Sequence, residues 1–436
     1  MAAFIYTSGT TGRPKGVKLS HSNLASNVSA LERVFPVRSD DRSLSILPWS
    51  HIFGQVAELH ILFSRGASIA FSTGAVHLES DLKRVKPTVL ITVPRILIAM
   101  METIHERVAA ERPYKQRVFS KAMENIEKRN QLARERRSSG MVDLLDRVFD
   151  RFVFERVREE LGGSLRLVVS GGAPLSREVA EFIDALGIPV YEGYGLTETS
   201  PIVATNYPGS RRVGTVGKPI PGVQVEIDTE VRDHRSHGEI IVFGHGVMLG
   251  YHGLEEENEA IFVERDGRRG IRTGDTGYFD GQGFLHLTGR VKEQYKLSNG
   301  KYVVPSALEQ KLRESAFIDN LMVYGEGRDF NVALIVPNFE KLSEWAAARG
   351  LPTDLDSLIH HPEVRALYER EIIQHSGSFK GYEHIRRFRL ITEPFTPENG
   401  LLTPTLKIRR EQILERYGDA LFALYDERMN PSTERG

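Results

Sequence analysis

The sequence predicts an α/β protein: a large layered α/β core domain carrying a β-rich subdomain, followed by a small, mobile α+β C-terminal domain. Three observations carry that expectation. From Leu44 to about Ile202, short apolar runs alternate with helical patterns, the signature of layered α/β structure. From Gly214 the texture becomes β-rich, with glycine-containing turns. Beyond Gly289-Arg290 strands and helices mix again in a shorter stretch that ends in a polar tail. The boundaries follow: residues 1–290 for the core, with the β-rich part starting at about 208, and 291–436 for the small domain.

Taken in order, Ala2 to Tyr6 reads as a short buried strand, and the strands Ala67–Phe71, Val89–Val93, Leu165–Val169 and Val190–Tyr191 follow. Between them, apolar residues recur at helical spacing around Leu24–Val34, Ile96–Val108 and Arg177–Leu186. A charged segment from His105 to Gly162 interrupts the alternation. Within it Leu144, Leu145, Val148, Phe149, Phe152 and Val157 recur at helical period, which predicts an amphipathic helix. Its apolar side is expected to pack on the core, with a membrane-surface face as the other reading. Lys115 to Arg137 is dense in charge and reads as a solvated helix and turn. The β-rich part supplies Gln224–Ile227, Glu239–Phe243 and Gly283–Leu287. The last domain supplies strands Met322–Tyr324 and Val332–Val336, helices Phe339–Arg349 and Pro362–Gln374, and a strand at Phe388–Thr392.

Composition bounds the function. The chain has 436 residues, 57 Lys+Arg against 58 Asp+Glu and a net charge of −1, so no basic footprint argues for nucleic acid. It contains no cysteine, which rules out disulfides, thiolate metal sites and a cysteine nucleophile. No apolar run reaches the ~18–20 residues of a membrane span. The expectation is a cytoplasmic enzyme, with peripheral membrane contact as a possible addition.

Chemistry concentrates in a few segments. Tyr6-Thr7-Ser8-Gly9-Thr10-Thr11-Gly12-Arg13-Pro14-Lys15-Gly16 combines glycines that let backbone N–H groups approach an anion with hydroxyl donors and a lysine. That chemistry suits a triphosphate, but the spacing is not that of the nucleoside-triphosphatase loop. Leu47-Pro48-Trp49-Ser50-His51-Ile52-Phe53-Gly54 sets a histidine among aromatics; alone it reads as a packed core histidine before it reads as a site. Ser170-Gly171-Gly172-Ala173-Pro174 ends a strand in paired glycines, where a ligand or another backbone can come close, though alone it reads equally as a strand-to-helix turn. Tyr191-Glu192-Gly193-Tyr194-Gly195-Leu196-Thr197-Glu198-Thr199 offers an aromatic face, glycines for close approach, and a hydroxyl beside a carboxylate suited to Mg²⁺. Arg272-Thr273-Gly274-Asp275 reads alone as a turn more readily than as a site. Finally, Gly289-Arg290-Val291-Lys292-Glu293 leads to Lys296-Leu297-Ser298-Asn299-Gly300-Lys301-Tyr302, and Leu402-Thr403-Pro404-Thr405-Leu406-Lys407 lies far downstream.

In this order, from Tyr6 to Lys407, the segments resemble the adenylate-forming (AMP-binding) superfamily, and in detail bacterial long-chain fatty acid–CoA ligases. The resemblance implies the adenylate-forming fold and two half-reactions: a fatty acid and ATP give acyl-AMP and pyrophosphate, then the acyl group passes to CoA. It implies that Thr7, Ser8, Gly9, Thr10, Thr11, Gly12 and Lys15 grip the β- and γ-phosphates, and that Thr7 and Glu198 hold Mg²⁺. It further implies that Tyr194 stacks on adenine beside Gly195 and Thr197, that Asp275 accepts the ribose hydroxyls, and that Arg290 assists. Lys407 would serve adenylation only, Lys292 would be the hinge of a mobile small domain, His51 would gate the carboxylate pocket, and Gly171 and Gly172 would wall the pantetheine entry.

Relatives carry a large block before the phosphate loop, so the sequence also predicts that the chain is a fragment, poorly soluble and weakly active by itself. Two rival readings remain at this point: an acyl-AMP ligase that passes its acyl group to a carrier protein, and a nucleotide-binding remnant without turnover. ATP, Mg²⁺ and CoA are the expected ligands, with a fatty acid as substrate; acyl chain length and oligomeric state are not legible.

Overall fold

Alternation within the apolar runs sets the architecture. In the strands at Val89–Thr92 and Leu167–Ser170 every residue is buried, so both faces must be covered. Leu90, Val168 and Val190 join one apolar cluster, whereas Val89, Ile91, Leu167, Val169 and Tyr191 join another. That is period-two alternation between two packed layers.

The computed structural model describes residues 1–7, 14–74, 77–135, 137, 139–229, 237–291, 294–352, 354–377, 379–403 and 407–426. Its strands, in chain order, are β1 (Ala3–Thr7), β2 (Lys15–Leu19), β3 (Arg42–Ser45), β4 (Ser68–Phe71), β5 (Val89–Thr92), β6 (Leu167–Ser170), β7 (Val190–Gly195), β8 (Ile202–Thr205), β9 (Lys218–Pro219), β10 (Val223–Asp228), β11 (Gly238–Gly244), β12 (Gly250–Tyr251), β13 (Phe262–Arg265), β14 (Arg268–Phe279), β15 (Leu285–Arg290), β16 (Tyr295–Lys296), β17 (Tyr302–Val303), β18 (Ile318–Tyr324), β19 (Asn331–Pro337) and β20 (Ile385–Leu390). The chain divides into two compact units: Met1–Ile5, Gly16–Thr273 and Gly277–Leu287 form one, and Tyr6–Lys15, Gly274–Thr276 and Thr288–Gly436 the other.

The first unit centres on a seven-stranded sheet of order β4-β3-β5-β6-β7-β8-β9. The run from β4 to β7 is parallel, and β8 and β9 are antiparallel additions. The helix His21–Val34 is started by a reciprocal cap in which the Asn23 N–H donates to the Ser20 hydroxyl and the Ser20 N–H to the Asn23 carbonyl oxygen. Its next turn brings Asn27 against β8, where it bonds both the N–H and the carbonyl of Ile202. A β-rich sheet of order β10-β11-β14-β13, with β15 on β14, has its own core around Ile240, Val242, Ile271 and Leu285. The second unit contains the sheet β18-β19-β20. It too is covered on both faces: Leu321, Val323, Ala333 and Ile335 pack to one side, and Met322, Val332, Leu334 and Val336 to the other.

Two expectations for the helical insert need correction. The helix Pro113–Arg134 is not simply solvated, because Phe119, Ala122 and Ile126 are buried in the first unit's core. Conversely, Leu144, Leu145, Val148 and Phe152 do not pack on the core. They point to solvent, while Phe149, Val153 and Val157 make the contacts. Helical period defines a stripe, but the packed side is decided by what the rest of the chain presents. Among the described residues no helix is long and apolar enough to cross a membrane.

Candidate active site

Parallel strands carry their connections out at the carboxyl edge, where ligands of open α/β sheets bind. In the first unit that edge gathers three of the segments singled out above. The segment Leu47–Gly54 follows β3, Gly171–Pro174 follows β6, and Tyr194–Thr199 closes β7. Two of these segments touch: a Cβ on Gly171 would lie 3.0 Å from Cζ of Phe53. Gly172 has φ +80, a backbone conformation open to glycine, so the paired glycines turn the chain at this edge.

His51 is exposed, at the start of a short helix, and so is not the packed core histidine its aromatic neighbours suggested. The segment is anchored instead by Glu58, a fully buried carboxylate. Ser43 and Ser45 hydroxyls each donate to it at 2.6 Å and the Trp49 indole N–H at 3.2 Å. These neutral donors satisfy a carboxylate that makes no ion pair among the described residues.

Glycine at 195 is required by contact, since a Cβ there would fall 1.8 Å from the Pro201 carbonyl oxygen. The register of β7 against β8 shifts between Tyr194 and Gly195. Such irregularities bend a strand and re-aim its side chains. Tyr194 is only 7% exposed, with its ring in the β-rich core. Past the strand, Thr197–Thr199 forms one turn of 3₁₀ helix holding Glu198. The Tyr251 hydroxyl donates to Glu198 Oε1 at 2.7 Å, and the Glu198 carbonyl accepts the Met248 N–H at 2.9 Å. Burial, reinforced by the adjacent carboxylate, raises the Tyr251 phenol above its usual range, so it stays a donor. Tyr251 is placed by β12, where it pairs with Val17 of β2.

Within Tyr191–Thr199, Glu192 had no role of its own in the sequence reading, yet it is the most perturbed carboxyl at this edge. Burial pushes it up to about 7, against the opposing effect of the Leu175 N–H, which donates to its Oε1 at 3.1 Å. That bond ties the glycine-paired turn to β7. Beside it in the ladder, the Ser170 hydroxyl is buried with no hydrogen-bond partner among the described residues.

The second unit holds the other expected residues. Asp275 lies within β14, not in a turn, is 7% exposed, and accepts from Arg290 Nε at 2.8 Å. The Val291 N–H donates to the Gly274 carbonyl at 2.7 Å, so β14 and β15 fix that pair. Thr7 and Lys15 flank the phosphate-loop candidate, with the Thr7 hydroxyl 3.5 Å from the Lys15 carbonyl. Ser8, Gly9, Thr10, Thr11 and Gly12 lie outside the described residues, as does Lys292. Lys407 is exposed, and its backbone is held to Thr403 by two bonds of 2.8 and 3.1 Å.

Among the described residues no group of three or more His, Cys, Asp and Glu is placed to hold a metal ion. The single carboxylate of Glu198, oriented by a phenol, is a hard oxygen donor of the sort Mg²⁺ accepts when substrate phosphates and water complete its shell.

Comparison with known proteins gives consistent matches along the chain. Residues 1–252 match the AMP-binding enzyme model and residues 292–429 the model of the AMP-binding enzyme C-terminal domain. The peroxisomal long chain acyl-CoA synthetase 6 of Arabidopsis thaliana is 34% identical over 100% of this chain and 62% of its own length. The long-chain-fatty-acid–CoA ligase FadD15 of Mycobacterium tuberculosis is 33% identical over 98% of this chain and 69% of its own. The chain thus spans about two thirds of the curated relatives it matches. Among solved structures, the adenylation domain of a carboxylate reductase from Mycobacterium chelonae superposes with TM-score 0.69 at 25% identity, covering 97% of this chain and 60% of that one.

Proposed function

The chain belongs to the AMP-binding enzyme family, and we propose that it activates a long-chain fatty acid as acyl-AMP and transfers the acyl group to CoA. The observation that carries this reading is identity of about a third, along essentially the whole chain, to proteins named as long-chain acyl-CoA synthetases and ligases.

In this reading the fatty acid carboxylate attacks the α-phosphorus of ATP and pyrophosphate leaves. Thr7 and Lys15 bind phosphate oxygens. Asp275, held by Arg290, accepts hydrogen bonds from the ribose. Glu198, oriented by Tyr251, would be the carboxylate that holds Mg²⁺, which when bound would supply charge neutralisation at the phosphates. Lys407 contributes a cation to a transition state richer in negative charge than the ground state. For the second half-reaction the CoA thiol attacks the acyl carbonyl and AMP leaves, while His51 and the Gly171–Gly172 turn line the approach. No enzyme nucleophile is required, in keeping with a chain without cysteine.

The test is fatty-acid-dependent ATP–pyrophosphate exchange over a series of chain lengths, followed by addition of CoA or an acyl carrier protein. Exchange with long acids and thioester formed with CoA is the expected result. Exchange independent of fatty acid, or acyl transfer only to the carrier, would replace the reading.

A further inference from the structure

We infer that the outward face of the helical segment 113–152 docks on a bilayer surface containing anionic phospholipid. Fifteen large hydrophobic side chains are exposed among the described residues, and seven of them fall between Tyr114 and Phe152. Scattered exposed apolar residues need no explanation, but a concentration within one helical hairpin marks an interaction surface.

The helix Gly140–Phe149 has no buried residue. At 3.6 residues per turn, Met141, Leu144, Leu145, Val148 and Phe152 fall on one stripe. Met141 and Phe152 are 66% and 62% exposed. Phe149 and Val153, on the neighbouring stripe, pack on the core, so the helix is anchored from behind. Tyr114 and Val118 form a second exposed apolar pair on the helix Pro113–Arg134, which is joined to its neighbour by the Arg129–Asp146 ion pair and by the Asn125 amide donating to the Val142 carbonyl.

Charge identifies the occupant. Residues 114–152 hold ten Lys/Arg and six Asp/Glu, an excess of four positive charges in a chain of net charge −1. Arg147 and Arg151 lie along the flank of the exposed stripe. Arg117 and Lys121 project near Tyr114 and Val118 by helical period, and Lys128 continues their side of the helix farther along. These five have no ion-pair or hydrogen-bond partner among the described residues, whereas Lys115, Arg129 and Arg158 are paired with Glu111, Asp146 and Asp150. An apolar stripe flanked by unpaired basic residues is the pattern of a helix lying in a lipid interface, with the bases at anionic headgroups. A second copy fits poorly, because a two-fold contact would set one basic face against another. The inference stands independently of the proposed activity.

The test is sedimentation of the 436-residue chain with vesicles of phosphatidylcholine alone, or of phosphatidylcholine and phosphatidylglycerol in equal parts, at low and high salt. Binding to the anionic vesicles that weakens with salt is expected. Leu144→Gln/Val148→Gln and Arg147→Gln/Arg151→Gln should each lower the partition coefficient about tenfold or more, since one basic residue near such a surface is worth about fivefold. All four positions lack core contacts, so the urea midpoint should hold. The absence of cysteine also permits a polarity-sensitive dye at Leu144→Cys, with Ile373→Cys, on an exposed position of the other unit, as control. A spectral shift at 144 and none at 373 is expected. Equal partitioning of the variants, or no shift at 144, would overturn the inference. So would a dimer in sedimentation velocity that Leu144→Gln/Val148→Gln dissolves, which would assign the face to a second copy.

Discussion

Replacing Glu192 with glutamine should make the protein more stable above neutral pH and leave it nearly unchanged in acid. The folded state holds this carboxyl at about 7, against 4.5 for an ordinary glutamate. The folded protein therefore binds the proton more tightly than the unfolded chain does. Stability contributed by the protonated group is fully present below pH 4.5, declines as pH rises, and is gone above 7. Within that window the slope is at most about 1.4 kcal/mol per pH unit, which integrates to about 3 kcal/mol as an upper figure. Glutamine keeps an oxygen to accept the Leu175 N–H but has no proton to lose. The assay is urea unfolding of both proteins at intervals from pH 4 to 8, read as the difference between them. That difference should grow toward about 3 kcal/mol in favour of Glu192→Gln by pH 8. Parallel pH curves for the two proteins would refute the burial argument, and a difference that grows toward acid would reverse its sign.

Tyr251→Phe removes the hydroxyl that orients Glu198, and the Mg²⁺ concentration for half-maximal adenylation should rise about tenfold or more, the usual cost of losing such a support; an unchanged Mg²⁺ titration would dismiss the orienting role. Lys407→Ala should slow acyl-AMP formation about 10²–10³-fold while thioester formation from supplied acyl-AMP survives; equal damage to both half-reactions would count against its assignment to adenylation. Gly195→Ala forces a methyl into the Pro201 carbonyl and should cost about 3 kcal/mol or more of stability, so a variant with the parent's urea midpoint would show that β7 relaxes freely.

Much of this organisation was legible because it follows from burial pattern. Val89–Thr92 and Leu167–Ser170 are short, apolar and bounded by turn residues, and both prove to be strands buried on two faces. β7 runs farther than expected, to Gly195, because pairing with β6 and β8 overrides the low strand preference of its glycines. Helical period located the stripe Leu144–Phe152 but could not tell its packed side from its exposed side. The exposure of His51 was equally hidden, since its aromatic neighbours suggest burial while the buried anchor is Glu58. Tyr251 stands fifty-three residues from Glu198, and nothing in local pattern announces that β12 brings them together. Glu192 lies inside Tyr191–Thr199, but its perturbation depends on burial that no local pattern reports.

Activation of the fatty acid carboxylate as a mixed anhydride with AMP is the step on which the proposed activity turns. Fatty acid labelled with heavy oxygen in its carboxyl group, incubated with the chain, ATP, Mg²⁺ and CoA, tests it directly by mass spectrometry of the products. Attack on the α-phosphorus followed by thiolysis leaves one carboxylate oxygen on phosphorus, so label is predicted in AMP and none in pyrophosphate. Label in inorganic phosphate alongside ADP, or thioester formed with unlabelled AMP, would contradict the account.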